Sequence, residues 1–113
     1  VERHVLRWRT YRGRETAERF LSVLAVPLER RGWRLVRLYR AQGFTVPLLW
    51  VHADGPDNHV GLGVVVLAVL GGAWGYHDAE RGRHGYLAPC GDAKAAAGQV
   101  EDLLKHRMFP GTW

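Results

Sequence analysis

Cys90 is the only cysteine of the chain and sits in Ala-Pro-Cys-Gly-Asp, just ahead of a segment with helical spacing. A thiol at a helix N-terminus can lose its proton more readily and act as a nucleophile. Asp92 works against this, because it takes the capping position and its negative charge disfavours a thiolate. Cys90 is therefore a candidate reactive thiol whose competing role is that of a small packed hydrophobe. The six histidines, His4, His52, His59, His77, His84 and His106, show no HxxxH spacing and no CxxC to join. No metal motif is read from them. His77 and His84 form the one pair with a geometric case. If residues 80–83 make a hairpin loop, His77 pairs with Tyr86 and His84 falls diagonally on the same face. Cys90 shares that face but lies about 13 Å further along an extended strand, too far to share an ion with His77.

The remaining chemical signatures are incomplete. The glycines of residues 61–63 and 71–75 lack the GxGxxG spacing and the following helix of a phosphate loop. Asp54, Asp57 and Asn58 lack the spacing of a calcium loop and read as turn residues. Ser22, the single serine, has no acid–base partner in its helical segment. No catalytic residue, metal ligand or cofactor is assigned.

A basic and aromatic interleaving is the strongest functional pattern. Trp8, Tyr11, Trp33 and Tyr39 alternate with Arg7, Arg9, Arg12, Arg34, Arg37 and Arg40. Arginine pairs with phosphates, and aromatic faces stack on unpaired bases. The candidate nucleic-acid-binding residues are Arg3, Arg7, Arg9, Arg12, Arg34, Arg40 and Trp8. Residues 1–40 hold 11 arginines against four glutamates, a net of +7, while residues 41–113 carry five cations against seven acids, a net of −2. The preference for arginine over lysine, 14 to 2, follows the bias of a genome rich in G and C, as does the absence of isoleucine. Codon bias does not explain the uneven placement of charge, which points to an anionic partner.

Two classes are excluded by the length of 113 residues and the single cysteine. One domain is expected, large enough for one core, and a disulfide-stapled scaffold is not. The longest uncharged run, Val60 to Tyr76, contains five glycines and falls short of the ~20 residues that span a bilayer. No apolar stretch directly follows the arginines of residues 1–14, so no secretory signal is read. A cytoplasmic protein without a membrane segment is expected.

The elements that must position these residues follow from periodicity. His4–Tyr11 alternates like a strand with a basic outer face. Residues 16–31 show one apolar stripe, with Thr16 as N-cap, Gly32 as the stop and a break or kink expected at Pro27. Residues 33–41 and 44–52 read as a hairpin about Gln42-Gly43, with the second strand at an edge or bulged at Pro47. On the first of these strands Arg34 and Arg40 share a face, and Arg37 lies opposite with Trp33 and Tyr39. Val60–Leu70 reads as a strand buried on both faces, where Gly61 and Gly63 leave a groove for a large ring. Residues 73–79 and 84–89 make a further hairpin, and a last helix from Asp92 carries an inward stripe of Ala93, Ala96, Ala97, Val100, Leu103, Leu104, Arg107 and Met108. The fold class is α+β, a mostly antiparallel sheet in β-α-β-β-β-β-β-α order covered by two helices on one face. Trp50 and Trp74 are expected to be substantially buried.

The expected function is that of a small non-enzymatic module that binds a protein partner or a second copy of itself through a sheet face or edge. Large aromatics favour interfaces and a free strand edge can pair with another chain. Nucleic-acid binding through the arginine-rich half is the first alternative, and a small enzyme using Cys90 or the His77/His84 pair is the second.

Overall fold

The computed structural model describes residues 13–39, 46–54 and 60–108. The expected first strand at residues 4–11, the Gln42-Gly43 turn and part of the loop at 53–58 lie outside them. The described elements are α1 (Arg14–Arg30), β1 (Arg34–Leu38), β2 (Leu48–His52), β3 (Gly61–Ala68), β4 (Trp74–Asp78), a 3₁₀ turn (Gly82–His84), β5 (Tyr86–Pro89) and α2 (Ala93–Met108). The five strands form one antiparallel meander in the order β1-β2-β3-β4-β5. Every connection within it joins neighbouring strands, as hairpins do.

α1 forms because Ala17, Leu21, Leu24, Ala25 and Leu28 recur on one face, and all five are buried. It opens two residues earlier than expected. Gly13 holds the N-cap position, with its carbonyl accepting from Ala17, and Thr16 lies inside the first turn. The helix also runs through Pro27 to Arg30 without ending near Ala25. Proline withholds an N–H from the carbonyl four residues back, here that of Val23. Val23 is exposed, so water can satisfy that carbonyl and the helix continues. At its end, Gly32 adopts φ +91°. Gly32 donates to Glu29 and Trp33 donates to Leu28, the paired bonds of a Schellman stop.

β3 is the central strand, and its first six residues, Gly61–Val66, are all buried. Gly71 and Gly72 both take positive φ, +85° and +80°. Two successive left-handed residues suit a tight hairpin turn and split the apolar run into β3 and β4. β2 lies between β1 and β3, which corrects the expectation of an edge strand there. Pro47 is buried and immediately precedes the first residue of β2. At that point its missing N–H removes no bond from the ladder.

The inward side of the sheet carries Leu49, Val51, Leu62, Val64, Val66, Tyr76 and Ala88, which share one buried cluster with the inner faces of both helices. In α2 these are Ala96, Ala97, Val100 and Leu104. Asp92 caps α2 as expected, accepting from the Ala95 N–H at 3.0 Å. Tyr76 joins the layers, with its hydroxyl donating to the Phe20 carbonyl of α1 at 2.6 Å.

Candidate interaction surface

The register of β1 divides its side chains as the period of two requires. Leu35 and Arg37 face the helices, with Trp33 and Tyr39 continuing that side, whereas Arg34, Val36 and Leu38 face away from both described helices. Arg37 accordingly reaches Glu29 of α1, at 3.2 Å. Arg34 meets Asp54 at 3.5 Å, and both groups are exposed. β1 is a terminal strand among the described residues, so one side of its backbone has no strand partner there. At its centre Val36 is 42% exposed.

The sheet face that carries no helix among the described residues is largely apolar beyond β1. Leu48 and Trp50 of β2 lie on it, both half-buried. The Trp50 indole occupies the space over Gly61, where any Cβ would clash with the ring, so a large ring fills that part of the groove, while the Leu48 and Ala79 side chains close over Gly63. A shallow pocket of about 570 Å³ opens here, lined by Leu38, Leu48, Trp50, Val60 and the glycine backbone, and also by Glu80 and Arg107. Trp74 is half-buried against the core on the opposite side, and Trp33 is half-buried as well. The Trp33 indole N–H donates to Glu101 at 2.9 Å, and Arg31 pairs with the same carboxylate at 3.0 Å. Burial pushes the Glu101 pKa up, but the Trp33 bond together with Lys105 and Arg31 holds it below the ordinary carboxylate range.

Of the sequence-derived nucleic-acid set, only Arg34 falls within the described residues; Arg3, Arg7, Arg9, Arg12, Arg40 and Trp8 lie outside them. Arg31, Arg34 and Arg37 each sit against a carboxylate. Sequence spacing did not anticipate these pairings, since Arg31 and Glu101 are separated by 70 positions.

The chemistry expected around the second hairpin divides. His77 pairs with Tyr86, as the loop length predicts, and the two rings meet edge to face at 5.4 Å between centroids. His84 does not join them on the ladder. It lies in the 3₁₀ turn and is exposed, whereas His77 is buried. His77 has a pKa lowered by its burial and further by Arg83, against the raising effect of the Gly75 carbonyl it contacts at 2.9 Å. Among the described residues, no group of three or more His, Cys, Asp or Glu side chains is placed to hold a metal ion, and no helix is long and apolar enough to cross a membrane.

Cys90 is buried in the core cluster, 5% exposed, and loss of hydration pushes its pKa up to about 12. The shift runs opposite to that of an activated thiol. A thiol-specific disulfide reagent at pH 7–8 is expected to label Cys90 only when the chain opens, with a rate that rises in step with added denaturant. Rapid labelling of the native chain would contradict this burial. The sign of the pH effect follows. The folded thiol titrates above its unfolded value, so the associated stability is complete below about pH 9 and is lost as pH rises through about 12.

No family model, curated protein or solved structure matches the chain.

Proposed function

We propose that the chain is a non-enzymatic interaction module that self-associates by antiparallel pairing of β1 with β1 of a second copy. The observation that carries this reading is the terminal position of β1 among the described strands, with Val36 exposed at its centre and its two arginines already matched by Asp54 and Glu29. A two-fold axis at Val36 sets Arg34 opposite Leu38 and Leu35 opposite Arg37, with Val36 against its own copy. No two arginines are then direct cross-strand neighbours, a juxtaposition that would destabilise the pair. Such an interface is self-complementary, as a two-fold dimer requires. Backbone hydrogen bonds along the new ladder supply affinity, and the flanking apolar side chains supply register. The joined sheets would extend the apolar face opposite α1 and α2 across both copies. A reducing, cytoplasmic setting suits the single thiol, which has no second cysteine in the chain to pair with.

Light scattering coupled to gel filtration tests the reading. The wild-type chain is expected to run as a dimer whose population falls on dilution. Val36→Lys sets two ammonium groups together at the axis and is expected to weaken the dimer by about tenfold or more, with an unchanged far-ultraviolet circular dichroism spectrum. A wild-type chain that stays monomeric at its highest soluble concentration sinks the proposal, as does a Val36→Lys dimer of undiminished affinity.

A further inference from the structure

The outward side of α1 carries a second surface, independent of β1. Arg19, Val23, Val26 and Arg30 recur at steps of four, three and four, which aligns them on one helical stripe. Val23 and Val26 are each 49% exposed. Valine is a weaker helix former than Ala, Leu or Glu, and here it gains little from burial in the core. Beside these valines, Pro27 leaves the Val23 carbonyl without its helical donor. An open cleft of about 620 Å³ runs between this part of α1 and the first turn of α2, lined by Val23, Val26, Pro27, Arg30, Arg31 and Lys94, with Ala93 beside them. Among the described residues no carboxylate lines it. Arg31 is held by Glu101, while neither Arg30 nor Lys94 has an ion-pair partner among the described residues.

We infer that this cleft docks an acidic amphipathic segment of another protein. An apolar side chain of that segment sits on Val23, Val26 and Pro27, a backbone or side-chain donor reaches the Val23 carbonyl, and carboxylates face Arg30 and Lys94. Charge complementarity selects the occupant, because among the described residues the cleft offers two cations outside ion pairs, Arg30 and Lys94, and no anion. Its cations could pair with phosphate as well as with carboxylate, but its apolar centre at Val23, Val26 and Pro27 calls for an apolar side chain, which a phosphate backbone does not present. The stripe also lacks the Trp, Phe or Leu with which surface-bound helices enter a bilayer. The remaining match is a helix-in-groove contact, read by anchors three and four residues apart.

The test titrates the isotope-labelled full chain with a synthetic peptide carrying leucines at i, i+3 and i+4 spacing and Asp or Glu elsewhere, followed by amide chemical shifts. Saturable changes are expected at residues 19–31 and 93–95, with an affinity that falls as salt is added. Val26→Glu and Lys94→Glu, both at exposed positions, should each weaken binding by about tenfold or more, while Val36→Lys on β1 leaves it unchanged. Absent shifts, shifts confined to other elements, or wild-type affinity in both charge-reversed variants would overturn the inference. Displacement of the peptide by phosphatidylglycerol vesicles that bind more tightly would overturn it in favour of a lipid surface. Loss of a wild-type dimer on Val26→Glu, with no peptide present, would overturn it in favour of a second copy.

Discussion

Tyr76→Ala is expected to lower the unfolding free energy by about 3–5 kcal/mol, the range for removing a large aromatic from a core. Tyr76 is fully buried, and its ring belongs to the cluster that joins the sheet to both helices. Its hydroxyl also bonds the Phe20 carbonyl at 2.6 Å, tying the middle of α1 to β4. The loss therefore combines a cavity between the layers with a carbonyl deprived of its side-chain partner. Tyr76→Phe separates the two contributions. It keeps the ring and deletes one hydrogen bond, so a smaller loss of about 1–2 kcal/mol is expected. Urea titrations of the three proteins, followed by circular dichroism, give both values. If the Phe variant falls as far as the Ala variant, the hydroxyl bond and not the packing holds the layers. If the Ala variant loses less than about 1 kcal/mol, the surrounding side chains collapse into the space. Burial also pushes the phenol pKa upward, followed by smaller contributions from Cys90 and Tyr39. The neutral phenol is thus the form that donates to Phe20 throughout the physiological range.

The central part of the fold was legible because its signals are strong and local. Gly61–Val66 is buried on both faces, and such a strand reads as a nearly unbroken apolar run. The Gly71-Gly72 pair marks its end through backbone conformation. α2 was legible from the Asp92 cap and an apolar stripe of matching period. The opposite facing of Arg34 and Arg37 followed from strand alternation alone.

What sequence reasoning missed depends on contacts between distant segments or on alternatives that local rules leave open. A proline near a strand is compatible with an edge, a bulge or the position just before the strand, and Pro47 takes the last of these. Pro27 stays within α1 because the carbonyl it deprives belongs to an exposed residue, a fact fixed by how the helix docks. Cys90 has the local context of a helix N-terminus, yet its chemistry is set by the core that closes over it. The pairing of Glu101 with both Arg31 and Trp33 draws on a separation of about seventy residues. Periodicity carries no information about which carboxylate meets which cation.

Arg107 offered the clearest unused signal, since it fell on the inward stripe of α2 among alanines, valine and leucines. A cation on an apolar stripe needs an acceptor at the layer it faces, because a buried charge must be paired. Its guanidinium donates to the Gly61 carbonyl at 2.7 Å, reaches Glu80 at 3.2 Å and lies 3.5 Å from the buried Asp78. It thereby ties the last turn of α2 to the start of β3 and the end of β4. Arg107→Ala is expected to cost about 2–3 kcal/mol. Removing one member of a buried pair typically costs more, about 3–5 kcal/mol. The discount reflects a guanidinium that is 35% exposed and an Asp78 carboxylate that keeps the Glu80 N–H at 3.0 Å. Arg107→Lys retains the charge but not the planar fork that serves a carbonyl and two carboxylates together, so an intermediate loss is expected. Asp78→Asn supplies the second arm of a double-mutant cycle. If Arg107 acts mainly on Asp78, the combined variant loses clearly less than the sum of the single losses. Additive losses would transfer the role to the Gly61 carbonyl, and a change within about 0.5 kcal/mol for Arg107→Ala would mean that the clamp contributes little beyond an ordinary surface contact.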